Sequence, residues 1–374
     1  MKTGRTLTEL AQEIERQATT KRDYLASTAG VEMVVKEEWN ATSEPDLQVL
    51  TSVVKLQLEG NGSLEVANLA HEQIGEFTNI PRAYYKRMLE DEPDLLAKNV
   101  NTWLQAKPAT RMIRTLDGRA RAFVSNGYRP LDYLQLAEAV LPVLGALDLE
   151  VMSCELTERR IYIKAVDKSI LVDCPSGRRM GDGSHVFFDT CSPAIVISNS
   201  EVGCGALAVE TGVWTKVCTN LMIATQRSMR KYHLGSRMDL GEEVTALLSD
   251  ETRQKTDAAL WAQVRDVVRG AFDKARFEAF VAEMGATAEQ KILGDPVKVV
   301  EVAAKKLGIT EVERPSVLRH LIEGGDLSRY GLFNAVTRAA EDVTDYDRAT
   351  EFERMGGRVI ELPKVEWDTL AIAA

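Results

Sequence analysis

An Asp-Gly dipeptide between two short alternating runs is the feature that most constrains how this chain folds. The runs are residues 111–116 and 119–124, and Asp117-Gly118 lies between them. Asp-Gly readily adopts the positive φ angles of a two-residue hairpin turn, so the segment predicts an antiparallel hairpin. Because side chains alternate across a strand, the second run places Arg119 and Arg121 on one face and three apolar residues on the other, namely Ala120, Ala122 and Val124.

The rest of the middle third has similar patterns. Residues 132–144 have helical spacing, with Asp132 as the expected N-cap and Pro142 expected to end or bend the helix. A second hairpin is predicted from strands at residues 149–156 and 161–166, and further strands are predicted at residues 194–198 and 205–217.

The N-terminal flank combines helices with a strand, and the C-terminal flank is helical. The N-terminus begins with the capping-box pattern Thr6 to Glu9, and residues 47–58 predict a strand before a Gly-Asn-Gly turn. Beyond Gly241 we predict helices at residues 242–249, 252–285, 288–293, 297–307, 315–323, 332–343 and 346–355, the last ending at Gly356-Gly357.

The predicted fold is therefore of the α+β class. A central, mostly antiparallel sheet of hairpins carries a packed helix, and it is flanked by an N-terminal α/β segment and a C-terminal helical region. We predict three regions, at residues 1–100, 101–240 and 241–374.

Composition indicates a folded protein of the cytosol. Of the 374 residues, 45% are hydrophobic and 27% charged, and neither a signal-peptide core nor a membrane-spanning apolar run is evident. Five cysteines without any Cys-x-x-Cys pair favour reduced thiols over a disulfide framework. We therefore expect a cytoplasmic protein with no membrane association.

Charge is unevenly distributed along the chain. The net charge is -10, yet residues 101–237 carry 17 basic and 13 acidic side chains. A basic middle between acidic flanks permits an anionic partner there. Candidate nucleic-acid contacts form two clusters, one on predicted strands and one on a predicted helix: Arg111, Arg114, Arg119, Arg121 and Arg129, with Trp103, Phe123 and Tyr128 among them, and Arg227, Arg230, Lys231, His233 and Arg237. The alternative is an ordinary solvated face.

Small polar residues follow two predicted strands. Asn199 and Ser200 come after one, and Thr219 and Asn220 after the next. Such residues often build sites, and with His233 they are the basis of an enzyme alternative. They also build turns, because their side chains bond to nearby backbone groups.

Residues 74–88 have the spacing of a helix-turn-helix. In that interpretation Arg82, Lys86 and Arg87 lie on a recognition helix. The alternative is a simple helical hairpin in which Ile80, Tyr84 and Met88 pack inward.

Patterns typical of catalysis are weak. The chain has no phosphate-binding lysine loop, dinucleotide glycine fingerprint or serine nucleophile elbow, so we expect no cofactor. Candidate metal ligands are too widely spaced to predict a site, and a nucleophilic Cys218 or a nuclease site at Glu150, Glu155, Glu158 and Asp167 has little support. The widely spaced ligands are Cys174, Asp182, His185, Asp189, Cys191, Cys204, Cys218 and His233.

Several ordered motifs resemble a family of uncharacterised prokaryotic phage/plasmid-like proteins, number nine hundred and thirty-two in the domain-of-unknown-function series. They are residues 80–85, 101–104, 114–122, 125–132, 199–200, 218–220 and 334–337. The resemblance implies carriage on phages, plasmids or integrated elements. This chain departs from the pattern with Asn220-Leu221, where Asn-Gly is common.

Together these observations predict a nucleic-acid-associated, homo-oligomeric protein that serves phage or plasmid replication or recombination. By analogy with single-strand-annealing recombinases, it would bind single-stranded DNA in a basic groove and leave the bases free to pair. The alternatives are an enzyme acting on a nucleotide or nucleic acid, and a helix-turn-helix regulator.

Overall fold

The computed structural model describes residues 1–41, 48–179, 186–216, 220–231 and 250–373. Within these ranges the chain forms twelve α-helices and two six-stranded sheets, which confirms the predicted α+β class. None of the described helices combines the length and the apolar character needed to cross a bilayer. The predicted helix at residues 242–249 lies outside the described residues.

The first sheet has the strand order β1-β5-β6-β4-β3-β2, and β4 and β6 are its parallel pair. Its strands are β1 (Arg22–Ser27), β2 (Val31–Ala41), β3 (Gln48–Leu58), β4 (Gly62–Val66), β5 (Thr110–Leu116) and β6 (Arg119–Ser125). The predicted boundary at residue 100 therefore cuts through this sheet, because β5 and β6 separate β1 from β4.

Three helices pack on the first sheet and bury its apolar side chains. They are α2 (Asn68–Phe77), α3 (Arg82–Asp91) and α4 (Pro93–Ala106). Leu96, Val100 and Leu104 recur on one face of α4 and are fully buried in this core.

The predicted β5–β6 hairpin is present. Asp117 has φ 52° and Gly118 has φ 76°, the positive angles that a two-residue hairpin turn needs. Arg114 and Thr115 adjoin a bulge in this pair.

The second sheet is antiparallel, with the strand order β12-β11-β10-β8-β7 and β9 paired to β10. Its strands are β7 (Glu150–Leu156), β8 (Ile161–Val166), β9 (Val172–Arg179), β10 (Val186–Asn199), β11 (Leu207–Thr215) and β12 (Asn220–Lys231). The β7–β8 hairpin matches its prediction closely.

Helices α1 (Leu7–Thr20), α5 (Tyr133–Ala146) and α6 (Asp250–Gly270) share a core with the second sheet. Pro142 lies inside α5 and does not end it, since the helix continues to Ala146. The backbone carbonyl that loses its helical partner belongs to Glu138, which is exposed, so water can satisfy it.

Six further helices complete the C-terminal region: α7 (Lys274–Ala286), α8 (Pro296–Leu307), α9 (Arg314–Gly324), α10 (Arg329–Ala339), α11 (Tyr346–Glu361) and α12 (Lys364–Ala371). The run predicted at residues 252–285 is two helices, because Asp273 caps α7 by accepting a hydrogen bond from the Arg276 backbone N–H at 2.8 Å. The predicted helix at residues 288–293 is wrong, and a 3₁₀ turn (Thr287–Glu289) lies there instead.

Gly356 and Gly357 do not end a helix, which corrects the prediction. Both lie inside α11, where the absence of a side chain permits close packing. A Cβ at Gly357 would overlap the carbonyl oxygen of Ile223 on β12, and one at Gly356 would overlap Thr337 on α10. Close approach to a neighbouring backbone is a second reason for glycine, besides a left-handed turn.

Candidate functional site

The motif residues of the middle region converge where the two sheets meet. The loop after β10 brings Glu201 against β5 and β6, and Glu201 is only 2% exposed. Its carboxylate accepts a hydrogen bond from the Tyr133 backbone N–H at 2.5 Å, lies 3.4 Å from Lys21 and pairs with Arg121. We call the set Lys21, Asp23, Arg114, Arg121, Asp132 and Glu201 the junction cluster.

Arg114 is the most deeply buried member of the junction cluster. Its Nε donates to Asp23 at 2.9 Å, its Nη1 to the Glu201 carbonyl at 2.6 Å and its Nη2 to Asp132 at 3.2 Å. Only 1% of its surface is exposed. The predicted phosphate contact at Arg114 is therefore wrong, because its donors are used inside the protein.

The junction cluster is electrically balanced, with three cations and three carboxylates. Burial alone would raise the pKa of Asp132, but the charges of Lys21 and Arg114 bring that pKa below its usual value. Each of the three carboxylates therefore lies beside a cation. Such a set joins elements firmly but offers no unengaged acid or base for catalysis.

Asn199 and Ser200 build the turn that leads to Glu201. The Asn199 Nδ2 donates to the Leu131 carbonyl at 2.6 Å, and the Ser200 hydroxyl accepts from the backbone N–H of Cys204 at 2.9 Å. The Tyr128 hydroxyl donates to the Ser200 carbonyl at 2.9 Å. Ser200 therefore acts locally, as the turn alternative predicts, whereas Asn199 links the end of β10 to Leu131, which lies 68 positions away.

The predicted strand-end cluster does not assemble. Thr215 on β11 pairs with Cys191 on β10 and with Asn220 on β12. Asn220 therefore lies at the level of Cys191 in the sheet. Asn199 lies eight residues further along β10, about 25 Å away at about 3.3 Å per residue. Thr219 and His233 lie outside the described residues. The enzyme alternative therefore loses the cluster on which it was based.

The remaining arginines of the first predicted cluster are engaged as well. Arg119 pairs with Glu65 at 3.2 Å and Arg129 with Asp257 at 2.6 Å. The Arg111 guanidinium stacks on Phe77 and Phe123, 4.7 and 5.1 Å from the ring centres. The face that we expected to be basic is thus largely neutralised by its own contacts.

The described part of the second predicted cluster, which ends at Lys231, is a strand and not a helix. Arg227, Arg230 and Lys231 belong to strand β12, where Arg230 pairs with Ala208 and Lys231 with Leu207. Between Ile223 and Ser228 the register shifts opposite Thr211, so Arg227 lies in a bulge. The sequence signal that we missed is the absence of any Asp or Glu between Glu210 and Asp239.

The first half of strand β12 is covered by α11, and the second half carries the basic residues. Gly357 of α11 packs at the Ile223 carbonyl, in the first half. Among the residues that the structure describes, β12 pairs with β11 on one side and with no strand on its other side. The basic residues therefore lie along a sheet edge.

The predicted helix-turn-helix is a helical hairpin with acidic surroundings. Arg82 pairs with Glu72 at 2.5 Å, Lys86 with Glu90 at 3.5 Å and Arg87 with Asp91 at 3.7 Å. Tyr85 is buried on α3, and Tyr84, which we expected inside, is 46% exposed. Carboxylates beside all three cations disfavour insertion into a DNA groove.

The described residues contain no group of three or more His, Cys, Asp or Glu side chains able to hold a metal ion. Glu150 pairs with Lys168 at 2.7 Å and Glu155 with Arg5 at 3.0 Å, so these carboxylates do not converge. Burial raises the pKa of the Cys154 thiol to about 12. Cys218, the predicted nucleophile, lies outside the described residues.

The chain was also compared with known proteins. No family model, no curated protein and no solved structure matches it.

Proposed function

We propose that this chain is a cytosolic, oligomeric protein of phage or plasmid type that binds single-stranded nucleic acid along β12. The observation that carries the proposal is the basic half of β12, at a sheet edge, in a stretch without carboxylates. Cations in a stretch of sequence without carboxylates can supply affinity for a phosphate backbone, since each phosphate contact releases a bound counterion.

The β5–β6 hairpin is the weaker candidate for this contact. Arg114 and Arg121 are ion-paired inside the protein and Arg119 is paired at the surface. A phosphate would have to displace a carboxylate from each arginine. The free energy lost with that ion pair would offset most of the free energy gained by binding the phosphate.

The bulge around Arg227 adds to the case for β12. A bulge bends a strand and increases its twist, so it changes the direction in which neighbouring side chains point. The ordinary alternative is that charged residues on an edge strand prevent aggregation with other sheets. Binding measurements separate these two roles.

Annealing is the activity that such a surface would serve. A protein that holds the backbone leaves the base edges exposed for pairing, and it needs no nucleotide cofactor. An oligomer would place several copies of β12 along one strand and increase the total affinity through effective concentration.

The test measures anisotropy of a labelled single-stranded oligonucleotide over a salt series. We expect the logarithm of affinity to fall with the logarithm of salt with a slope of about -2 for three phosphate contacts. The double variant Arg230→Glu/Lys231→Glu should bind at least about tenfold more weakly.

The matched control is Arg82→Glu/Lys86→Glu on α3, which changes the same charge at the predicted helix-turn-helix. It should leave single-strand binding unchanged. Weakening by the α3 variant alone, with preference for duplex DNA, would support the regulator instead, and binding that ignores salt and both variants would contradict either proposal.

A further inference from the structure

A small cavity lies at the other end of β10 from the junction cluster. It has a volume of about 110 Å³ and is enclosed by β9, β10, α9 and α10. Its polar lining includes Ser176, Arg178, Asp189, His320, Asn334 and Arg338. A water molecule needs about 15 Å³ by the same kind of measure, so the cavity has room for several non-hydrogen atoms.

His320 presents one ring nitrogen without a partner. Its Nε2 lies 2.9 Å from Asp342, a carboxylate that also accepts from Arg319 at 2.6 Å. A carboxylate accepts hydrogen bonds, so Nε2 carries the proton and Nδ1 is an acceptor in the neutral ring. In the described part of the chain Nδ1 is buried and has no hydrogen-bond partner, and the side chain is 9% exposed.

The Glu323 carboxylate lies 3.8 Å from that nitrogen, beyond hydrogen-bond distance. It does not satisfy Nδ1 of a neutral ring, because both atoms are then acceptors. A buried acceptor without a donor is costly to the fold. A ligand that donates a hydrogen bond would remove this cost.

Arg338 supplies the complementary group. It is half-buried on α10 and lines the cavity, yet its guanidinium makes no hydrogen bond or ion pair with any residue in the described ranges. Asp189, the deepest carboxylate of the lining, already accepts from Arg178 at 3.1 Å and from the Tyr330 hydroxyl at 2.8 Å. The cavity therefore offers the Arg338 cation and the His320 Nδ1 acceptor.

We infer that this cavity binds a small oxyanion that retains one O–H group, namely hydrogen phosphate or the terminal phosphate of a monoester. A charged oxygen would accept hydrogen bonds from Arg338, and the P–OH group would donate to His320 Nδ1. Glu323 and Asp326 also line the cavity, and their charges disfavour a more highly charged anion. The inference is independent of β12.

The first test is titration calorimetry of the full chain with inorganic phosphate. Arg338→Gln should weaken binding at least about tenfold, the usual effect of removing a charged hydrogen-bond donor. It should keep the melting temperature unchanged, because Arg338 makes no hydrogen bond or ion pair with the part of the chain that the structure describes. The control Arg87→Gln, on distant α3, should bind as the original chain does.

The second test uses two esters to separate the roles of the groups. Methyl phosphate keeps an O–H and should bind, whereas dimethyl phosphate has none and should bind at least about tenfold more weakly. His320→Phe should abolish that difference between the two esters. Tighter binding of methyl phosphate than of free phosphate would identify a monoester as the ligand.

Equal phosphate affinity in the original chain and Arg338→Gln would overturn the inference. So would a complete lack of phosphate binding at millimolar concentrations, or equal affinity for both esters. Loss of oligonucleotide binding with phosphate binding intact would refute the proposed function and leave this inference standing.

Discussion

Lys164 on β8 and Glu353 on α11 form a salt bridge of 2.6 Å with 1% and 0% of their side chains exposed. Burial lowers the pKa of Lys164, while the charge of Glu353 opposes that shift. The Lys164 ammonium also lies 4.6 Å from the centre of the Tyr346 ring. This pair joins the second sheet to the C-terminal helices through charge, at a site where apolar contacts are the rule.

Removing one partner of this pair should destabilise the protein far more than removing both. Lys164→Met leaves Glu353 buried and uncompensated, and should lower the free energy of unfolding by about 3–5 kcal/mol. The double variant Lys164→Met/Glu353→Leu should recover most of that loss. Urea unfolding of both variants measures the difference, and additive losses would contradict the pairing.

Glycine at position 357 should be required for packing. Gly357→Ala places a methyl group against the Ile223 carbonyl and should destabilise the protein by about 1–3 kcal/mol, as overpacking does. The control is Gly324→Ala at the end of α9, where a Cβ meets nothing within 4 Å. That change should be neutral or stabilising, and thermal unfolding of the two variants makes the comparison.

The junction cluster should contribute strongly to stability. Glu201→Gln removes the carboxylate that faces Arg121 and Lys21, and should cost about 3 kcal/mol or more. Glu65→Gln, which breaks only the exposed pair with Arg119, should cost less than about 1 kcal/mol. Calorimetry measures both, and similar small effects would mean that the cluster is not critical.

His71 should remain neutral well below pH 6. Burial lowers its pKa to about 4, and its Nδ1 lies 2.9 Å from the Tyr85 hydroxyl. In the unfolded chain the pKa is about 6.5, so acidification charges the unfolded state first and stability falls between pH 6.5 and 4. From pH 7 to pH 5 this chain should lose about 2 kcal/mol more than His71→Gln.

Denaturant unfolding at the two pH values provides that comparison. The His71 ring proton should titrate near pH 4 by NMR. A midpoint near 6.5, or identical pH dependence in the variant, would show that the ring is solvated.

Local signals in the sequence predicted local structure well. The Asp117-Gly118 turn depends on two residues whose preferred angles match the hairpin, and the β7–β8 hairpin follows the same logic. Pro142 and Gly356-Gly357 misled because the prediction considered only their backbone preferences. Their actual roles depend on the surroundings. Pro142 is tolerated because Glu138 is exposed, and Gly357 is needed because α11 packs closely on β12.

The candidate sites were harder to predict because their partners are distant in sequence. Arg114 pairs with Asp23 across 91 positions, and Arg121 pairs with Glu201 across 80. A basic pattern on a strand cannot reveal carboxylates that come from distant positions in the sequence. The sequence predicts a helix for the run that contains Arg227, Arg230 and Lys231, whereas pairing with β11 makes this segment a strand.

The strand order of the first sheet also determines the sequence of events during synthesis. β1 to β4 leave the ribosome before β5 and β6, which occupy the middle of the sheet between β1 and β4. Until residue 125 has emerged, β1 and β4 are without the neighbours that cover their edges. A nascent chain that has emerged only as far as β4 therefore exposes unpaired strands, and we expect it to depend on chaperones until the hairpin inserts.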